Sequence, residues 1–169
     1  LVPTGIQGDA ESRLSTRHLG ARLLLAEDNP INVEVVLEML HAVGIDVAVA
    51  ANGREAVERA RQQTFDLILM DMQMPEIGGI EATRLIRGLP QWADRPIIAL
   101  TANAFAEDRR ACLEAGMNDV LTKPVEPGLL YATILHWLAP TVRGERAPAP
   151  VQNQRVFDAS DDALVILAL

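Results

Sequence analysis

The chain has 169 residues, 49% of them hydrophobic, and sets 23 acidic against 15 basic side chains for a net charge of −8. That is enough for one ordinary domain with residues left for tails, and the negative surface repels phosphates, so contact with nucleic acid or an anionic membrane is not expected. A single cysteine, Cys112, excludes an internal disulfide and a cysteine-rich zinc site, and points to a reducing, cytoplasmic setting.

Residues 1–20 mix Gly, Ser, Thr and charge without periodicity, carry no signal-peptide pattern and read as a linker. The apolar run RLLLA (22–26) then reads as a strand. It is followed by a helix in which Val33, Val36, Leu37 and Leu40 recur on one face, with Pro30 in its first turn and Gly44 at its stop. Further strand-length runs are VAVA (47–50), DLILM (66–70), PIIAL (96–100) and DVLT (119–122), with helix-period segments between them. Cys112 is read as a small residue packed on one of these helices. A last helix, with Leu130, Thr133, Ile134, Trp137 and Leu138 on one face, is ended by Pro140. The Pro- and Arg-rich stretch 140–154 reads as a second linker. Residues 155–169 read as the truncated start of a following segment, with Ser160 as a helix cap. The folded unit is therefore expected over 21–139, and no run approaches the ~18 residues needed to span a bilayer.

Strands that are apolar along most of their length, alternating with helices, call for a parallel sheet covered on both faces: an α/β doubly wound sandwich. In such sheets ligands gather beyond the carboxyl ends of the strands. Those ends carry Glu27-Asp28, Asp71, Thr101 and Lys123-Pro124. Two carboxylates ~4 Å apart repel by about 4 kcal/mol at an effective dielectric of ~20, and one lysine cannot neutralise three of them. A divalent cation is expected, and an all-oxygen set without converging His or Cys selects Mg²⁺, with Mn²⁺ or Ca²⁺ as substitutes. A carboxylate beside such an ion, an ammonium and a hydroxyl has what attack on phosphorus requires.

The stretches LLLAEDNPIN, DLILMDMQMP, PIIALTANAF and LTKPV, in that order, resemble those of response-regulator receiver domains over roughly Arg22 to Leu138. The intervals of 43, 30 and 22 residues separating Asp28, Asp71, Thr101 and Lys123 are of the family's kind. The resemblance implies a flavodoxin-like fold of five parallel strands in the order 2-1-3-4-5 with five helices. It implies that Asp71 is the phosphoacceptor, loaded from a phosphohistidine on a histidine kinase or phosphotransfer domain. By the same likeness Asp28, Asp71 and the backbone carbonyl of Gln73 ligate Mg²⁺, Glu27 acts through water, Lys123 and Thr101 hold phosphoryl oxygens, and the Lys123–Pro124 peptide is cis. AEDNPINVEVVLEMLHAVG and TANAFAEDRRACLEAGMNDVLTKPV look most like receivers of hybrid sensor histidine kinases, which makes 155–169 the entry to a phosphotransfer domain. The parent is then a sensor kinase and this segment a monomeric phosphorelay module rather than a turnover enzyme.

Two positions depart from the family pattern. Gly78 stands where an acid is common, which would loosen the loop after the third strand, and Val120 stands where many members carry a switching Tyr or Phe. Phe105 lies nearby and is expected to pack in the core, with Asn103 capping the helix that follows Thr101. His18, His41 and His136 lack the context of a phosphoryl donor and are read as surface or partly buried bystanders. Three other readings stay open: a stand-alone response regulator, a degenerate receiver that only binds, and an aspartyl-nucleophile phosphohydrolase. The last would need an acid where Gln73 stands.

Overall fold

In the computed structural model, which describes residues 4–103 and 105–138, the five expected strands are β1 Arg22–Ala26, β2 Asp46–Ala50, β3 Leu67–Asp71, β4 Ile97–Thr101 and β5 Asp119–Thr122. They form one parallel sheet in the order β2-β1-β3-β4-β5. Every residue of β3 and β4 is buried, as a sheet covered on both faces requires.

Helices α2 Pro30–Ala42, α3 Gly53–Gln62, α4 Gly79–Arg87, α5 Ala106–Ala115 and α6 Pro127–Leu138 alternate with the strands, and a 3₁₀ turn at Pro90–Trp92 precedes β4. One core layer joins Leu24, Ile68, Met70, Ile97 and Ala99 of the strands to Ala56, Ala60, Ala82, Ile86 and Cys112 of α3, α4 and α5. Since side chains alternate along a strand, Leu23, Leu25, Leu69, Ile98 and Leu100 face the other way. On that side Val36 and Leu40 of α2 and Leu130 and Ile134 of α6 are buried, and the Tyr131 hydroxyl of α6 donates to the Met39 carbonyl at 2.8 Å. The sheet, its helices α2 to α5 and α6 as far as Trp137 lie in one compact unit.

Several expectations change. Thr4–Arg17, read as part of a linker, is a helix, α1, making six α-helices rather than five among the described residues. Ala10 and Leu14 of α1 are buried, as is His18 just after it, and two buried apolar side chains are too few to produce a visible period. His18 is thereby taken from the surface, while His41 and His136 are exposed. Phe105 is 65% exposed at the start of α5 rather than in the core. It occupies the cap position that Asn103 was expected to fill, and it supplies no capping side chain. The stretches 140–154 and 155–169 lie outside the described residues. No described helix is long and apolar enough to cross a membrane.

Candidate functional site

The strand ends converge because adjacent strands stay in register to their last residues. Beyond the ladder the backbone continues the pairing: Glu27 N–H donates to Ala50 at 3.0 Å, Met72 N–H to Leu100 at 3.0 Å and Lys123 N–H to Thr101 at 2.7 Å. Glu27, Asp71, Thr101 and Lys123 are thus held at one rim, around an open cleft of about 370 Å³ that Asp28, Asn32, Gln73 and Asn103 also line.

Two glycines permit this packing near Asp71. A Cβ on Gly79 would lie 2.5 Å from the Asp71 carbonyl oxygen, and one on Gly53 would lie 2.0 Å from the Ile77 carbonyl oxygen, so neither position accepts a side chain without moving backbone. Gly78 shows no such need, since its Cβ would make only ordinary contact with Met72. The loop around it is tied by Gly79 N–H to the Met72 carbonyl at 3.1 Å and by an Arg54–Glu76 ion pair at 2.9 Å, so the expected loosening is opposed.

Glu27, Asp28 and Asp71 each present a carboxylate oxygen, all within 4.8 Å of one another. Lys123 reaches two of these groups, its Nζ lying 3.2 Å from Glu27 Oε1 and 3.1 Å from Asp71 Oδ1. Glu27 and Asp71 are 2% and 3% exposed, so their charges interact through little water, whereas Asp28 is exposed. Burial raises the Asp71 pKa above the ordinary carboxylate value; the Lys123 hydrogen bond opposes the rise and the Glu27 charge adds to it. For Lys123 burial works to lower the pKa, but the hydrogen bonds and charges of Asp71 and Glu27 outweigh it and the pKa is raised. One ammonium among three clustered carboxylates leaves uncompensated negative charge, and the donors are all hard oxygens. The residues present therefore fit a hard divalent cation.

The remaining rim groups also sit within reach. Thr101 Oγ1 accepts from Asn103 N–H at 3.1 Å, which leaves its proton free to donate, and the Gln73 N–H donates to Asp71 Oδ1 at 3.3 Å. The Lys123–Pro124 peptide is cis. Asn29 caps α2, its side chain accepting from Ile31 N–H at 2.9 Å and Asn32 N–H at 3.3 Å. Val120 packs partly buried against the core layer. Sequence reasoning brought together Glu27, Asp28, Asp71, Gln73, Thr101 and Lys123, and all six line the cleft. It passed over Asn32, although a polar residue in the first turn of a helix that starts at the rim stands beside the strand-end acids.

The response regulator receiver domain family matches residues 23–135. The chain is 35% identical over 169 residues to the sensor protein GacS of Pseudomonas syringae pv. syringae, which aligns 98% of this chain with 18% of that protein. It is 45% identical to the receiver domain of sensor histidine kinase PA1611 from Pseudomonas aeruginosa PAO1, whose structure has a magnesium ion coordinated in the active site cleft. The match has a TM-score of 0.68 and covers 71% of this chain and 98% of that one. A chain from the co-crystal of the Saccharomyces cerevisiae histidine phosphotransfer protein Ypd1 with the receiver domain of Ssk1 is 34% identical, with a TM-score of 0.68 over 73% of this chain and 92% of that one.

Proposed function

The chain belongs to the response regulator receiver family and is a receiver domain of two-component signalling, and from this premise we propose that Asp71 is its phosphoacceptor. The observation that carries this reading is the placement of Asp71 beside two further carboxylates and 3.1 Å from Lys123 Nζ. An Asp71 carboxylate oxygen attacks the phosphorus of a partner's phosphohistidine; the new P–O bond forms as the P–N bond breaks, and the bonding pair leaves on the imidazole nitrogen. Lys123 moves its hydrogen bond from Asp71 Oδ1 to a phosphoryl oxygen, and the Thr101 hydroxyl donates to another. Asp28, Asp71 and the Gln73 carbonyl would hold Mg²⁺, with Glu27 acting through water, and the ion would supply charge that offsets the phosphoryl oxygens. A hydrolase reading lacks an acid two residues beyond Asp71, where Gln73 stands.

The donor docks on the start of α2, where Ile31 and Val35 are 70% and 44% exposed next to the acids. Onward transfer as a monomer is the proposed output, because Val120, packed partly buried against the core layer, cannot report a phosphoryl group by swinging inward as an aromatic side chain would, which weakens any signal to the face made by α5, β5 and α6. The parent is a hybrid sensor kinase whose receiver lies on the cytoplasmic side.

Intact-mass measurement with Mg²⁺ and a small acyl-phosphate donor should find one acid-labile phosphoryl adduct, and none in Asp71→Asn; an adduct on that variant would remove Asp71 from the role. For docking, Ile31→Glu should slow transfer from a phosphohistidine domain at least tenfold while leaving small-donor phosphorylation within twofold. An unchanged partner rate would refute the docking face.

A further inference from the structure

Glu27 is the most confined carboxylate of the rim, and its surroundings are asymmetric. Oε1 faces Lys123 at 3.2 Å, while Oε2 accepts from the backbone N–H of Asn29 at 3.2 Å and from the side-chain amide of Asn32 at 3.4 Å. The Asn32 backbone is in turn fixed by the Asn29 cap, so the amide is aimed from a rigid first turn rather than from a loop. Glu27, Asn29 and Asn32 thus form a closed circuit in which every link is short in sequence. Asn32 also lines two clefts: the rim cleft, and a smaller one of about 110 Å³ behind the Glu27–Lys123 pair, bounded by Val35, Val36, Leu100, Pro124 and Val125.

We propose that Asn32 is a positioning residue for cation binding: its amide holds Glu27 Oε2 so that Oε1 stays directed to Lys123 and the carboxylate cluster. A carboxylate rotates easily about its last bond, and a single backbone N–H restrains it less than two donors converging from different directions. Without the amide the Glu27 carboxylate turns toward the smaller cleft, away from Asp28 and Asp71, and both the cation and Lys123 lose part of their framework. The outer hydrogen bonds of a metal site act in this way, through the orientation of the groups they hold. The proposal rests on the cation site described above but adds a residue that does not touch the ion.

Calorimetric titration of the unphosphorylated protein with MgCl₂ separates the alternatives. Wild type should bind one Mg²⁺, Asn32→Ala should bind it three- to tenfold more weakly, and Asn32→Asp should also bind it more weakly. The Asp variant is decisive, because added negative charge acting only through space would tighten binding, whereas loss of the donor against Glu27 loosens it. At saturating Mg²⁺ the acceptance rate from a small donor should return to within twofold of wild type in Asn32→Ala, placing the defect in binding rather than in chemistry. Affinity within twofold of wild type in Asn32→Ala, or tighter binding in Asn32→Asp, would overturn the role of Asn32 while leaving the cation site standing. No Mg²⁺ binding by wild type would instead overturn the site on which the inference rests.

Discussion

The two ends of the sheet handle charge in opposite ways. At the amino end of the strands, Arg87 of α4 places its half-buried guanidinium among acceptors that match it. Nε and Nη2 donate to the Gly116 carbonyl at 2.9 and 2.8 Å, Nη2 also to Asn118 Oδ1 at 2.8 Å, and Nη1 to the carbonyls of Trp92 and of Arg95, the latter at 2.7 Å. Around it the Trp92 indole donates to Ala60 at 3.1 Å and Arg95 to Phe65 at 2.6 Å, so the loops beneath β3, β4 and β5 are stitched to the helices. At the carboxyl end three carboxylates cluster around one lysine that pairs with only two of them. Satisfied polar groups favour one conformation, whereas like charges held together by the fold cost stability until a cation or phosphoryl group arrives. The first end serves the fold and the second serves function.

Replacing Arg87 should show the largest effect on stability. Arg87→Leu leaves several partly buried acceptors without a donor, and a loss of about 3 kcal/mol, or roughly 10 °C in Tm, is expected in urea and thermal unfolding, with Mg²⁺ affinity unchanged. A stability change below about 0.5 kcal/mol would mean that the amino end is not held in this way.

The complementary substitution at the rim should behave inversely. Asp28→Asn removes one of the three clustered carboxylates and part of the charge that would recruit the ion, so Mg²⁺ should bind at least tenfold more weakly, about 1.4 kcal/mol, while Tm without metal stays level or rises. Calorimetry is the suitable probe, because Trp92 is buried at the amino end and Trp137 is committed to Asp119. Equal affinity in the two proteins would erase the contrast between the ends.

The smallest effect is a pH dependence. Asp71 has a folded pKa raised above 3.8, so the folded state holds its proton more tightly than the unfolded chain does. The stability that this contributes is present below 3.8 and lost as pH rises through the folded value. Asp71→Asn cannot lose it, so in metal-free buffer the variant should melt a few degrees above wild type at neutral pH, with the gap closing as pH falls toward 3.8. A gap independent of pH would show that burial at the rim, with the Glu27 charge beside it, does not disfavour the Asp71 carboxylate.

Much of this contrast was legible in the chain itself. Five short, largely apolar runs determine a buried parallel sheet because a strand covered on both faces has no polar side to display, and LLLA, LILM and IIAL have none. The acids and the lysine could be assigned to one rim because each follows such a run, and in a parallel sheet all the strand ends lie on the same side. What the chain alone could not determine is which side chains meet across elements. Asn32 is five residues from Glu27 and reads as an ordinary position in a helix's first turn until the turn is set against β1. Arg87 reads as a surface charge at a helix end until the loops before β4 and β5 close around it from as far as 31 residues away. Helix α1 lacks a clear apolar period, and only packing shows that its Ala10 and Leu14, and His18 just after it, are buried. Phe105 resembles a core residue by type, yet its place ahead of α5 turns it outward. Composition and period report how much of an element must be buried, because hydrophobic burial is additive and has no direction; hydrogen bonds and ion pairs are directional, so their partners exist only once the tertiary structure has set distance and angle.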